Sequence, residues 1–171
     1  MHRSPSITMT AAAAFMFATA VQAQPAQAPA APSPLLMEYG PSITLEQAMK
    51  VGNAALAQAK KMNLLEGIAI VDPDGRLVYF IKMDHLRQIG IDLSQAKART
   101  AAFTKLPSKA YEDRVAAGGA GLTVLALGVL PSGGGFPIIV NGKIIGAIGV
   151  GGGPNGDLDS EVAQAGLAAL K

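Results

Sequence analysis

The chain has 171 residues, half of them hydrophobic and 5% aromatic, with 14 Lys and Arg against 12 Asp and Glu and no cysteine. This near-neutral balance gives no electrostatic footing for nucleic acid, and the absence of thiols excludes disulfides and thiolate metal sites. Stability must come from packing.

Residues 1–23 read as an export signal: Arg3 gives a positive start, Ile7 to Ala20 is mostly apolar, and Val21-Gln22-Ala23 offers small residues for cleavage. The apolar run is shorter than the roughly 20 residues of a spanning helix and no twin arginine is present, so the pattern predicts Sec-type export to the periplasm or beyond. No later run is apolar for long enough to cross a membrane. Loss of Arg3 with the signal takes the basic count from 14 to 13 against 12 acidic residues, a net charge of +1.

Residues 24–42 open with QPAQAPAAPSP, a proline- and alanine-rich stretch without the large side chains that a core needs, and are predicted to be an extended, poorly ordered tether. The folded domain is expected over 43–171, a length that suits one core. Thr44 and Gln47 make a capping-box pattern, and Leu45, Ala48, Met49, Gly52, Leu56 and Ala59 recur at helical spacing, which predicts a first helix to Asn63. GIAIVD (67–72) and LVYFIKM (77–83), either side of Pro73-Asp74-Gly75-Arg76, predict a β-hairpin.

Asp92 is expected to cap a second helix ending near Leu106 before Pro107, its alanines allowing close approach to a neighbour, and Ser108 a shorter helix through Val115. LTVLALGV (122–129), PIIV (137–140) and KIIGAIGV (143–150) then read as strands, the last two joined at Asn141-Gly142 as a tight hairpin. A final helix is expected over 158–170, capped by Asp157. The order predicts an α+β domain with an antiparallel sheet of about five strands flanked by helices.

Two glycine clusters flank the last hairpin. Gly151 to Gly156 satisfies G-x-G-x-x-G between a strand and a helix, where backbone N–H groups can receive an anion, and Gly133-Gly134-Gly135 offers the same bare backbone. No βαβ unit accompanies the motif, so a dinucleotide fold is not expected. Gly134, Gly135, Gly152 and Gly153 therefore stand as candidates for the carboxylate of a small organic acid or for close packing. Lys97, Arg99 and Thr100 on the second helix are candidates to face an anionic ligand, the alternative being solvent or subunit-interface charges. For catalysis, the serines lack a nucleophile-elbow pattern and the carboxylates fall at turns or caps, so no catalytic constellation is predicted.

GIAIVDPDGRLVYFIKMD, IDLSQAKARTAAF and GGGFPIIVNGKIIGAIGVGGG, in that order, resemble the GlcG/HbpS family of small haem-binding or haem-degrading domains across 43–171. The resemblance implies a profilin-like or PAS-like fold assembled as a homo-oligomer, often an octamer, and a role in haem handling or redox sensing. It also allows an accessory role or enzyme activity in organic-acid or diol metabolism, or a purely structural, sensor-partner module. Haem needs an apolar slot, an axial ligand and donors for its propionates. His85, the only histidine after signal removal, is the candidate iron ligand, with Asp84 or Arg87 beside it. The family's ligand histidine lies near the start of the domain, where this chain has none, and its serine-containing SGG is here Gly151-Gly152-Gly153.

Overall fold

A computed structural model describes residues 33–170. Helix α1 (Leu45–Lys61) is followed by strands β1 (Gly67–Val71) and β2 (Leu77–Lys82), helices α2 (Gln88–Thr104) and α3 (Lys109–Ala116), strands β3 (Gly135–Val140) and β4 (Lys143–Gly151), and helix α4 (Gly156–Ala168). The strands form one antiparallel sheet in the order β2-β1-β4-β3. The fold is α+β.

Side-chain alternation divides this sheet into two unlike faces. Ile68 pairs with Val150 and Ile70 with Ile148, and this bulky face packs on Val51, Ala55 and Ala59 of α1 and Val162 and Ala163 of α4. The opposite row pairs Gly67 with Gly151, Ala69 with Gly149 and Val71 with Ala147, and continues to Gly135 beside Gly149. That row is nearly flat. Helix α2 lies directly on it, through Ala98, Ala101 and Ala102.

Several local expectations hold for the stated reasons. Thr44 and Gln47 form the capping box, and both Asn141 (φ 50°) and Gly142 (φ 73°) take the left-handed conformation that a two-residue hairpin turn requires. Two caps differ. Helix α2 starts at Gln88, ahead of Asp92, because left-handed His85 (φ 63°) turns the chain sharply after β2; Asp92 instead accepts from Gln88 Nε2 at 3.3 Å. Helix α4 is capped by the Asn155 side chain, which accepts from Asp157 N at 3.1 Å and Leu158 N at 3.0 Å.

The sheet has four strands where five were expected. Residues 122–127 of the run 122–129 lie in a 3-10 helix, Gly119–Leu127, with left-handed Gly118, Gly119 and Gly128 (φ 69°, 55° and 69°) at its ends. Apolar composition cannot make a strand without a neighbouring ladder, and the positive φ of these glycines interrupts the extended backbone that a strand needs. The tether expectation also changes at its C-terminal end. Gly40 N donates to Ile144 O at 2.8 Å, Ile144 N to Glu38 O at 3.0 Å and the Tyr39 hydroxyl to Ala102 O at 2.7 Å, so residues 38–42 dock on the domain. The signal expected over 1–23 lies outside the described residues.

A methyl group at Gly149 would collide with Ser94 O and Ala98 N, both backbone atoms of α2 that cannot give way separately. Gly149→Ala is expected to lower stability by about 3 kcal/mol or more, at or beyond the top of the usual overpacking range, measured by urea unfolding. A loss below about 0.5 kcal/mol, typical of an unconstrained surface site, contradicts the flush packing.

Candidate functional site

Two regions gather the chemistry-bearing residues, one buried and one open. The buried region follows from the flat face of the sheet. Because α2 lies so close, Lys97 enters the interior at the sheet's end, and its Nζ meets Asp159 Oδ2 of α4 at 2.5 Å with both side chains almost wholly enclosed. Gly134 makes room for this: a Cβ there would lie 2.8 Å from Asp159 Cβ and 3.3 Å from Lys97 Cδ. Lys97 is therefore neither a solvent charge nor an open anion receptor.

A second carboxylate completes the cluster. Glu66, fully buried at the entrance to β1, and Asp159 share one donor, since Gly153 N–H reaches Glu66 Oε2 at 3.0 Å and Asp159 Oδ1 at 3.1 Å. Glu66 Oε1 has no hydrogen-bond partner among the described residues. Burial, and then the charge of Asp159, push the Glu66 carboxyl up to about 8, against the opposing pull of the Gly153 N–H and Lys97.

Three N–H groups of the glycine loops are already taken by the chain's own acceptors. Gly133 N donates to Glu112 Oε2 at 2.6 Å, Gly135 N to Ser108 Oγ at 2.9 Å, and Gly153 N to the two buried carboxylates. Carboxylate recognition by backbone donors does occur here, but the carboxylates are internal. Gly135 lies against Lys97 O, and Gly152 (φ 135°) against Leu65 O, which makes these positions close-packing glycines. Thr100 Oγ1 is buried and accepts from Leu130 N at 2.9 Å, holding the exit of the 3-10 helix.

The open region is a cleft of about 380 Å³ walled by Leu56 and Lys60 of α1, Leu65 ahead of β1, Ile81 and Lys82 of β2, and Met83, Asp84 and His85 of the loop that follows. His85 is exposed, at the turn from β2 to α2. Of the residues singled out from the sequence, only His85 and its neighbour Asp84 line this cleft. Arg87 reaches instead to Gly152 O at 3.4 Å.

The donor set suits haem: apolar walls for the macrocycle, an imidazole for iron and two ammonium groups for propionates, in a volume within the range of ligand clefts. A larger cleft of about 560 Å³ includes Tyr39, Asp72, Asp74, Arg76 and Phe103. It suits haem less well. The Tyr39 hydroxyl is engaged by Ala102 O, and two carboxylates, Asp72 and Asp74, stand beside one guanidinium, Arg76, whereas the His85 cleft sets one carboxylate, Asp84, against two ammonium groups.

Glu66 and Asp159 escaped the sequence reading. Asp159 was detectable, because it begins the buried stripe 159, 162, 163, 166 of α4, just as Lys97 sits in the stripe 94, 97, 98, 101 of α2. Two opposite charges on two apolar stripes signal a buried pair. Glu66 gives no such signal, since an acid at a strand entrance is ordinarily solvated.

A small α+β domain with this sheet order and helical cover matches a known class. The family model for "Haem degrading protein HbpS-like" matches residues 43–168, and the chain belongs to that family. Protein GlcG of Escherichia coli K12 is 36% identical over 108 residues, 63% of this chain and 80% of that protein. The crystal structure of a double mutant of Streptomyces reticuli HbpS superposes with a TM-score of 0.70 at 33% identity, covering 86% of this chain and 99% of that one. The PduOC–haem complex superposes with a TM-score of 0.68 at 26% identity, covering 76% and 96%.

Removing the ammonium of the buried pair strands a carboxylate. Lys97→Met is expected to cost about 3–5 kcal/mol in urea unfolding, whereas the double replacement Lys97→Met with Asp159→Leu costs less than that single change. A double variant no more stable than Lys97→Met contradicts the pairing.

Proposed function

We propose that this chain is an exported haem-binding protein that holds haem in the Leu56–His85 cleft. The observation that carries the reading is an exposed imidazole beside apolar walls and the Lys60 and Lys82 ammonium groups. Family membership and the likeness to a haem complex support it. His85 serves as the axial ligand, Leu56, Leu65 and Ile81 bear on the macrocycle, and Lys60 and Lys82 meet the propionates. Haem, when bound, supplies a redox-active iron, which accords with a haem-handling or redox-sensing role.

Export rests on the composition of residues 1–23, and places the protein in the periplasm or outside the cell. Assembly with further copies belongs to the same proposal. Leu122, Leu125 and Leu127 of the 3-10 helix are 48%, 57% and 65% exposed, and Phe103 is 61% exposed, an apolar surface that subunit contact would cover. An organic-acid ligand gains no comparable support, because the Gly135 and Gly153 N–H donors already have internal acceptors and Gly134 and Gly152 are closely packed on their neighbours.

Titration of the purified chain with hemin is expected to give a saturable Soret shift. His85→Ala is expected to weaken binding by about tenfold or more and to change the ligation spectrum. Featureless, non-saturating spectra from the wild type overturn the haem reading, and a His85→Ala variant with unchanged spectra and affinity overturns His85 as the ligand. Light scattering of the same preparation is expected to show more than one copy per particle, and a strict monomer contradicts assembly.

A further inference from the structure

The buried cluster has an unequal charge count: two carboxylates, Glu66 and Asp159, face one ammonium, Lys97, and share one N–H, that of Gly153. Asp159 Oδ2 takes Lys97 at 2.5 Å, which leaves Glu66 outside the ion pair with Oε1 unpartnered among the described residues. A fully ionised cluster would hold one uncompensated negative charge away from water, an expensive arrangement. One added proton brings the sum to zero and converts an oxygen without a donor into a hydroxyl that can itself donate.

Glu66 is also tied directly to the open cleft. Glu66 N donates to Met83 Sδ at 3.3 Å, and Met83 N donates to Glu66 O at 3.2 Å. Met83 and Leu65, the residue preceding Glu66, both line the cleft that holds His85. On the other side, Gly152 packs on Leu65 O and Gly153 contacts the Glu66 carboxyl. A shift carried to the Glu66 backbone therefore bears on two cleft walls.

We propose that Glu66 is a proton switch for the His85 cleft: protonated, it keeps Leu65 and Met83 in place, and ionised, it draws the carboxyl toward water and loosens both. The consequence for ligand binding rests on the haem reading above; the proton switch itself does not. The groups facing Glu66 are Lys97 of α2, Asp159 of α4, the Gly153 N–H after β4 and the Met83 thioether after β2. Asp84, His85 and Arg87 follow Met83 on the connecting loop, and Arg87 touches Gly152 O.

The direction of the pH effect follows from linkage. The folded chain holds its Glu66 proton up to about 8, while an unfolded chain releases it in the ordinary carboxylate range. The stabilisation is thus complete in acid, declines as pH rises, and is lost by the time pH passes the folded value. The proton leaves to solvent. No co-reactant is needed.

The test uses the wild-type chain without haem, titrated between about pH 5 and about pH 10, a span that brackets the folded carboxyl value. Infrared spectroscopy follows the carbonyl band of a protonated carboxyl group, and methyl-labelled methionine NMR follows Met83, assigned with Met83→Leu. The expected result is a protonated carboxyl that disappears near pH 8, with the Met83 methyl signal moving at the same midpoint. That step should persist in His85→Ala, which excludes imidazole titration as its source, and vanish in Glu66→Gln. Absence of a protonated carboxyl in mildly acidic solution overturns the proposal, and so does a Met83 signal that stays still while the carboxyl titrates. Should Glu66→Gln fail to fold, the coincidence of the two wild-type midpoints decides the matter alone.

A parallel hemin titration separates the two readings. Wild-type affinity is expected to fall roughly tenfold more than that of Glu66→Gln across the same step. Equal pH dependence in both chains overturns control of the cleft. A moving Met83 signal in a chain that binds no hemin supports the switch and overturns the haem reading.

Discussion

The contact between α2 and the glycine–alanine face of the sheet governs the rest of this domain. Gly67, Ala69, Gly149 and Gly151 remove side-chain bulk from two adjacent strands, and Gly135 extends the same row onto a third. The helix backbone consequently rests almost on the strand backbone, as the near collision of a Gly149 methyl with Ser94 and Ala98 shows. Packing of this kind tolerates little adjustment, because backbone atoms cannot rotate away as side chains do. It fixes the depth at which Lys97 enters the interior, and with it the ion pair to Asp159 that joins the helices on opposite faces of the sheet.

From that constraint a polar cluster follows, and with the cluster a set of N–H groups already taken. Glycine-rich loops near strand ends commonly present N–H groups to external anions. Here Glu66, Asp159, Glu112 and the Ser108 hydroxyl accept from them instead. The donors therefore organise the interior, while His85, Lys60 and Lys82 stand together at the open surface cleft. The two regions meet through Glu66 and Met83. A buried acid beside a cleft wall gives the protein a route by which proton concentration can affect an otherwise rigid scaffold.

Much of the fold was legible because local and global signals agree. The capping box at Thr44, the Asn141-Gly142 turn and the apolar runs either side of Pro73-Asp74-Gly75-Arg76 each have one economical reading, and each is found. The run 122–129 misled because strand propensity measures fitness for a pleated surface, and no neighbouring strand supplies that surface. The site was less legible for a different reason. Burial of Lys97 depends on how closely α2 approaches the sheet, a tertiary distance that no short window contains, although its place on an apolar stripe pointed inward. Glu66 depends on Gly153 and Asp159, partners far along the chain, and its own neighbours disclose nothing.

Haem in the His85 cleft is the central claim, and the iron atom offers the most direct test of it. Crystals of the chain grown with hemin, measured at the iron absorption edge, are expected to show an anomalous difference peak within bonding distance of the His85 imidazole, flanked by Leu56, Leu65 and Ile81. An iron peak elsewhere, for instance between Tyr39 and Phe103, with the His85 imidazole free, would contradict the account.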